Sequence, residues 1–257
     1  MVNKTYTKLT PASTAPVQVV MLADKDGNTI NSFGSAANIP IASGDVTGLS
    51  HINKFGYRSS IPSTFQTIWD GTVDYSYQSA AVVSAVADNL SDENGTVSVE
   101  GLDENYNFVS ETITIGGSAS TSQFVRVFRA TLITANTGDT NVDEVRIKNT
   151  GTDVAIITAG AGQTLMALYT IPAGKTGYLL KVGGSIDANN DALFRLYARP
   201  FNGSFNVKMQ KGVFAAGFDY EYPVPLVFAE KTDLEIKAAS QNNVGAGAIF
   251  DLILKDN

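Results

Sequence analysis

The chain has 257 residues, a formal net charge of −7, no cysteine and a single histidine, His51. Catalysis at neutral pH leans on His and Cys, whose pKa values lie nearest 7, so a nucleophilic or metal-dependent enzyme of the usual kind is not expected. Clustered Lys and Arg are missing, which argues against direct binding to nucleic acid, and no apolar run reaches the roughly 18 residues of a membrane-spanning helix.

Hydrophobic residues make up 44% of the chain, enough to bury a full core and to exclude global disorder. Charged residues are only 17%, below the roughly 25% usual for soluble domains. Ser, Thr, Asn and Gly fill the polar positions instead. Such a surface desolvates at low cost and suits packing against neighbouring subunits. Residues 1–6 lack the apolar core of a secretory signal, so synthesis and folding in a cytoplasm are expected.

In chain order, residues 1–64 read as an N-terminal arm with one hairpin. Residues 17–22 are strand-like, and Asp26-Gly27-Asn28 follows as a turn. From Ser32 to Leu49 periodicity is weak. Yet Ile39, Ile41, Val46, Leu49, Ile52 and Phe55 are many apolar groups for a tail, which points to an arm lying on something larger. Over 65–160 the strand pattern becomes dense: 81–86, 96–100, 111–115, 124–129, 145–148 and 154–157. Alternation of period two puts apolar side chains on one face of a sheet. After the small-residue stretch 159–162 it resumes through 161–257, with strands over 165–171, 178–182, 193–198, 205–209, 226–228, 234–237 and 248–254. Helix signals are almost missing. The expected fold is all-β: tandem antiparallel β-sandwich domains, jelly-roll or Ig-like, behind an extended N-terminal arm. The run 248–254 is apolar on both faces and reads as a central strand, so a charge placed at Ile253 is expected to cost several kcal/mol.

Candidate chemistry is sparse. Asp187-Ala188-Asn189-Asn190-Asp191 offers alternate oxygens for calcium, but its spacing departs from the calcium-loop pattern and reads first as a turn. The stretch 88–95 reads the same way. Asp70, Asp74, Glu100, Asp103 and Glu111 could supply a pair of carboxylates for glycan hydrolysis, but nothing in the sequence brings two of them together. Gly116-Gly117 and Gly183-Gly184 match no phosphate loop. No catalytic residue, metal ligand or cofactor is assigned. Aromatics cluster at Trp69, Tyr75 and Tyr77 and again at Phe214, Phe218, Tyr220 and Tyr222, where core, protein interface and sugar stacking are all open. The candidate interface set is Val19, Ile39, Ile41, Phe55, Trp69, Tyr75, Tyr77, Phe218 and Tyr222.

Two groups of phrases carry a resemblance. His51-Ile52-Asn53-Lys54-Phe55-Gly56 leads through Thr67-Ile68-Trp69-Asp70-Gly71 to Tyr75-Ser76-Tyr77. Later, Gly101-Leu102-Asp103, Ser110-Glu111-Thr112-Ile113 and Gly162-Gln163-Thr164-Leu165-Met166-Ala167-Leu168-Tyr169 lead into Ile171-Pro172-Ala173-Gly174-Lys175-Thr176. Over about residues 50–257 the chain resembles virion structural proteins of tailed bacteriophages, particularly marine and cyanobacterial ones. Gly44-Asp45-Val46-Thr47-Gly48 resembles connecting segments of phage tail fibres. The resemblance implies a non-enzymatic component of a virus particle with the major capsid protein or a tail protein as partner, and a homotrimer. Decoration or cementing of the capsid through the arm and first domain is the leading expectation. The alternative is a tail fibre or adaptor that binds a host surface glycan.

Overall fold

The computed structural model describes residues 38–187 and 190–257. The hairpin expected over 17–28, and Val19 with it, lies outside the described residues. A short helix α1 (Asn38–Ala42) precedes β1 (Leu49–Ile61) and the two-residue β2 (Gln66–Thr67). Seven strands follow as a block: β3 (Ala81–Ala87), β4 (Thr96–Leu102), β5 (Phe108–Thr114), β6 (Gln123–Phe124), β7 (Arg126–Thr134), β8 (Val145–Asn149) and β9 (Thr152–Ile157). The chain then runs through β10 (Leu168–Thr170), β11 (Lys175–Ile186), β12 (Asp191–Arg199), β13 (Asn206–Phe214), β14 (Gly217–Phe228), β15 (Asp233–Ala239) and β16 (Val244–Asp256).

The strands pair antiparallel throughout. One sheet has the order β1-β16-β11-β14; a second has β10-β15-β12-β13, with β2 also on β15. These two sheets form the body of the molecule. Phe194 of β12 packs edge-on to Phe218 of β14 across the gap between them. Gly184 of β11 makes room for both rings, because a Cβ there would sit 2.8–2.9 Å from their atoms. Gly183-Gly184 is thus a packing device. The intervening strands form their own pair of sheets, β6-β3-β8-β9 and β5-β4-β7. The chain changes sheet at Val125, and Phe124 lies against Gly101 of β4. The expected all-β, antiparallel sandwich architecture is the one adopted.

Pairing redraws the organisation expected over 1–64. Residues 49–61 are not part of an arm: β1 pairs with β16 from Leu49↔Lys255 to Ile61↔Val244 and closes the body sheet. The block 81–157 is an insertion between β2 and β10, and the body draws its strands from both sides of it. The reason β1 escapes a periodicity search is the identity of its inward residues. Lys54, Gly56 and Arg58 are buried, while Phe55 and Tyr57 between them are only half-buried.

Strand β16 lies between β1 and β11, central as its composition suggests. Ala246, Ala248, Phe250, Leu252 and Leu254 are buried. Ile253 is on the other face, lining a groove of about 480 Å³ with Ile41, His51, Leu180 and Tyr222. A charge at this position meets water rather than the core, so the large penalty expected from composition does not apply. Ile253→Asp is expected to change stability by about 1 kcal/mol or less; a loss of several kcal/mol in urea denaturation would contradict the assignment of this face.

Candidate functional site

The interface set expected from sequence is dispersed by the fold. Ile39 is 75% exposed on α1. Ile41 and Tyr222 both line a groove along the body sheet, though the Tyr222 ring packs against the core, 4.9 Å from that of Tyr220. Phe55 sits on β1 opposite Ile249. Trp69 and Tyr75 are core residues, so neither offers surface to a partner or a sugar. The Trp69 indole donates to the Val73 carbonyl at 3.0 Å, and the ring lies where a Cβ on Gly71 would be. Its loop wraps the buried Arg58, which donates to the carbonyls of Ser60, Gly71, Thr72 and Val73. Phe218 is held against Phe194. Tyr77 lies between two guanidinium groups, 4.8 Å from that of Arg126 and 4.3 Å from that of Arg199.

Those two arginines belong to the join between insertion and body. Asp233, at the start of β15, is 3% exposed. It accepts from Arg126 Nε at 2.7 Å and Nη2 at 3.2 Å, from Arg199 Nε at 2.8 Å and Nη2 at 2.6 Å, and from Thr170 Oγ1 at 2.6 Å. Arg126 comes from β7 of the insertion; Arg199, Thr170 and Asp233 come from the body. A buried carboxylate is tolerated only with such a full complement of partners. Neighbouring Glu235 is buried and its carboxyl is pushed up by desolvation.

A second junction lies beside Phe128, whose ring stacks 4.6 Å from Tyr169. Lys54 of β1 reaches into the insertion and donates to the Phe128 carbonyl. Burial, with the nearby Arg129 charge, lowers its pKa to about 7, against a smaller opposing effect of Glu100. Asp70 accepts from Leu165 N at 2.7 Å and Thr158 Oγ1 at 2.8 Å, and burial raises its pKa to about 6.

Of the remaining candidate carboxylates, Glu100 lines a groove with Lys54, and the other three hold backbone. Asp103 caps the turn at Asn105 and Asn107. Glu111 accepts from the backbone of Thr121 and Ser122. Asp74 bonds Thr67 and Lys237. In the stretch 88–95, Asp92 accepts from the backbone of Val142 and Asp143. His51 pairs with Asp251 at 3.2 Å. Of the loop 187–191, Asp187 accepts from Tyr57, while Ala188 and Asn189 lie outside the described residues.

The surface suited to a partner is the open side of the body, where β13 and β14 are the last strands of their sheets. Phe214 is 74% exposed, Val224 79% and Val227 61%. Tyr220 pairs with the buried Val182. Directly paired residues share a face, so Tyr220 lies on the core side of its sheet, yet it keeps 38% of its surface in water. Among the described residues, nothing covers the core at this edge. Lys208 and Lys211 on β13, and Pro223 and Pro225 on β14, oppose strand addition, which leaves side-chain contact as the means of association. Sequence reading marked Phe214 and Tyr220 as aromatic but missed Val207, Val224 and Val227. The Pro-Val-Pro string at 223–225 was the available signal for an edge strand.

No family model and no curated protein matches the chain. Among solved structures, it is similar to a chain of the infectious bursal disease virus Gx strain structure, at 12% identity, TM-score 0.21, covering 80% of this chain and 70% of that one. The Gt strain structure gives 15% identity, TM-score 0.21 and coverage of 82% and 68%. A mutant VP2 protein of the same virus, in derived T=1 particles, gives 11% and 0.17, over 81% and 73%. At TM-scores this low the backbones do not superpose, and these likenesses carry no inference about what the chain does.

Proposed function

We propose that this chain is a non-enzymatic structural protein of a virus particle of the tailed-phage kind, which decorates or cements the capsid by packing against the major capsid protein and against copies of itself, as a homotrimer. The observation that carries the reading is the β13–β14 edge, where among the described residues nothing covers the core-side Tyr220 and where Phe214 and Val224 stand exposed. The resemblance over residues 50–257 supports the same reading. So does the use of the buried carboxylates and lysine to join the insertion to the body. Cementing needs no single strong site; it needs many modest contacts on a shape that does not yield.

Val224→Glu combined with Val227→Glu tests it. Both side chains are exposed, so the monomer should fold with an unchanged melting midpoint. Self-association by light scattering and attachment to particles should both be lost. Undiminished attachment would overturn the role given to this edge. Immunogold labelling of intact particles then places the protein: gold over the head supports decoration, and gold at the tail would favour the fibre reading instead.

A further inference from the structure

A cleft of about 350 Å³ opens above the Asp233 cluster, between insertion and body. Its charge runs against that of the whole chain. Arg126, Arg199 and Lys231 line it, and Asp233 is the one carboxylate among its lining residues. Asp233 is already shared by both guanidinium groups. Arg199 bonds it through Nε and Nη2, which leaves the N–H groups of Nη1 without a protein acceptor among the described residues. Lys231 makes no ion pair among the described residues; its ammonium lies 5.1 Å from the Phe201 ring centroid and 5.6 Å from that of Tyr106. Phe201 is half exposed and stands edge-on to Tyr106 at 5.4 Å. Cations with spare donors beside an exposed aromatic face are two recognition elements at once. One takes a carboxylate or sulfate, and the other takes the apolar C–H face of a ring.

We propose that this cleft binds an acidic saccharide, with the sugar face on Phe201 and its carboxylate or sulfate held by Arg199 and Lys231. The volume suits a small ligand or the end of a chain. An acidic peptide fits less well, because the cleft presents no strand edge for its backbone. The Pro200–Gly203 turn closes on its own hydrogen bond, and the Val125 N–H is given to Leu102. The site goes beyond the assembly role proposed above and stands independently of it, since none of its residues lies on the β13–β14 edge. Of the aromatic residues for which the sequence leaves sugar stacking open, only Tyr77 lines the cleft.

Titration calorimetry of the full chain with trigalacturonate should show binding, with maltotriose, triglutamate and inorganic sulfate as comparators. Phe201→Ala and Lys231→Gln, both outside the core, should each weaken trigalacturonate binding about tenfold and leave the melting midpoint unchanged. Equal binding of maltotriose would remove the charge recognition and overturn the proposal. So would equal binding of sulfate, an affinity untouched by Phe201→Ala, tighter binding of triglutamate, or no binding of trigalacturonate at all. A chain that fails these tests yet still attaches to particles would lose the cleft and keep the assembly role.

Discussion

Asp233→Asn is expected to lower the free energy of unfolding by about 3–5 kcal/mol, the usual cost of removing one partner from a buried ion pair. The change keeps the shape of the side chain and the bond from Thr170, but it withdraws the charge that two guanidinium groups share. Arg126, 8% exposed, is left with a full charge and no counterion among the described residues. Because Arg126 belongs to the insertion and Asp233 to the body, the variant should also loosen the two against each other. Its urea unfolding is expected to broaden or separate into two transitions, visible as a reduced m-value. The exposed pair Lys175–Asp256 is the control; Lys175→Gln should change stability by about 0.5 kcal/mol or less. A loss under about 1 kcal/mol for Asp233→Asn would mean that the apolar junction alone holds the modules together.

The parent protein should become more stable between pH 7 and 9.5, and Lys54→Met should abolish that rise. The folded-state pKa of Lys54, about 7, lies below the ordinary lysine value of 10.5. Between those values the unfolded chain holds a proton that the folded chain has released, so stability climbs with pH. Stated the other way, the contribution is fully present above pH 10.5 and is lost as pH falls through 7. At about 1.4 kcal/mol per pH unit, the gain by pH 9.5 is roughly 3 kcal/mol. Asp70 acts in the opposite sense in a separate window. Its pKa is raised from 3.8 to about 6, so its contribution is present below pH 3.8 and is lost as pH rises through 6. Buried Tyr75 and Tyr169 are both raised from 10.0 and act only above that value. Over pH 7–9.5 the Lys54→Met comparison of melting midpoints therefore reads the Lys54 contribution, since every other buried group titrates alike in parent and variant. A flat profile in the parent, or an unchanged slope in Lys54→Met, would place this amine in water.

Much of the fold was readable because most strands alternate cleanly. Thr96-Val97-Ser98-Val99 and Leu234-Glu235-Ile236-Lys237 declare their spacing in the sequence, and both became strands. What stayed hidden was the strand whose inward side is polar. Lys54 and Arg58 are buried because carbonyls accept from them: Phe128 for the first, the 71–73 loop for the second. Gly56 is inward because β1 passes hard against the backbone of Ile68 and Ala167; a Cβ there would lie 2.5 and 2.3 Å from their atoms. These are long-range compensations, and no local pattern encodes them. The Asp233 cluster was hidden for the same reason, since Arg126 and Asp233 lie 107 positions apart. Aromatic residues, by contrast, were visible as a group, but sequence could not separate the buried Trp69 and Tyr75 from the exposed Phe201 and Phe214.

The pairing of β1 with β16 imposes an order on biosynthesis. His51 and Asp251 are 200 positions apart, so at ribosomal rates of about 5–20 residues per second β1 waits roughly 10–40 s for its partner. The insertion has no such delay: apart from the bridge between Thr131 and Gln163 its strands pair among themselves, and they are complete once Thr164 has emerged. It can therefore fold first, on the ribosome. The body sheet acquires its central strand only from the final stretch of the chain. A nascent or truncated copy would hold a finished insertion beside an open body, and the β13–β14 edge would have no settled shape to present. A settled β13–β14 edge thus arrives only with β16.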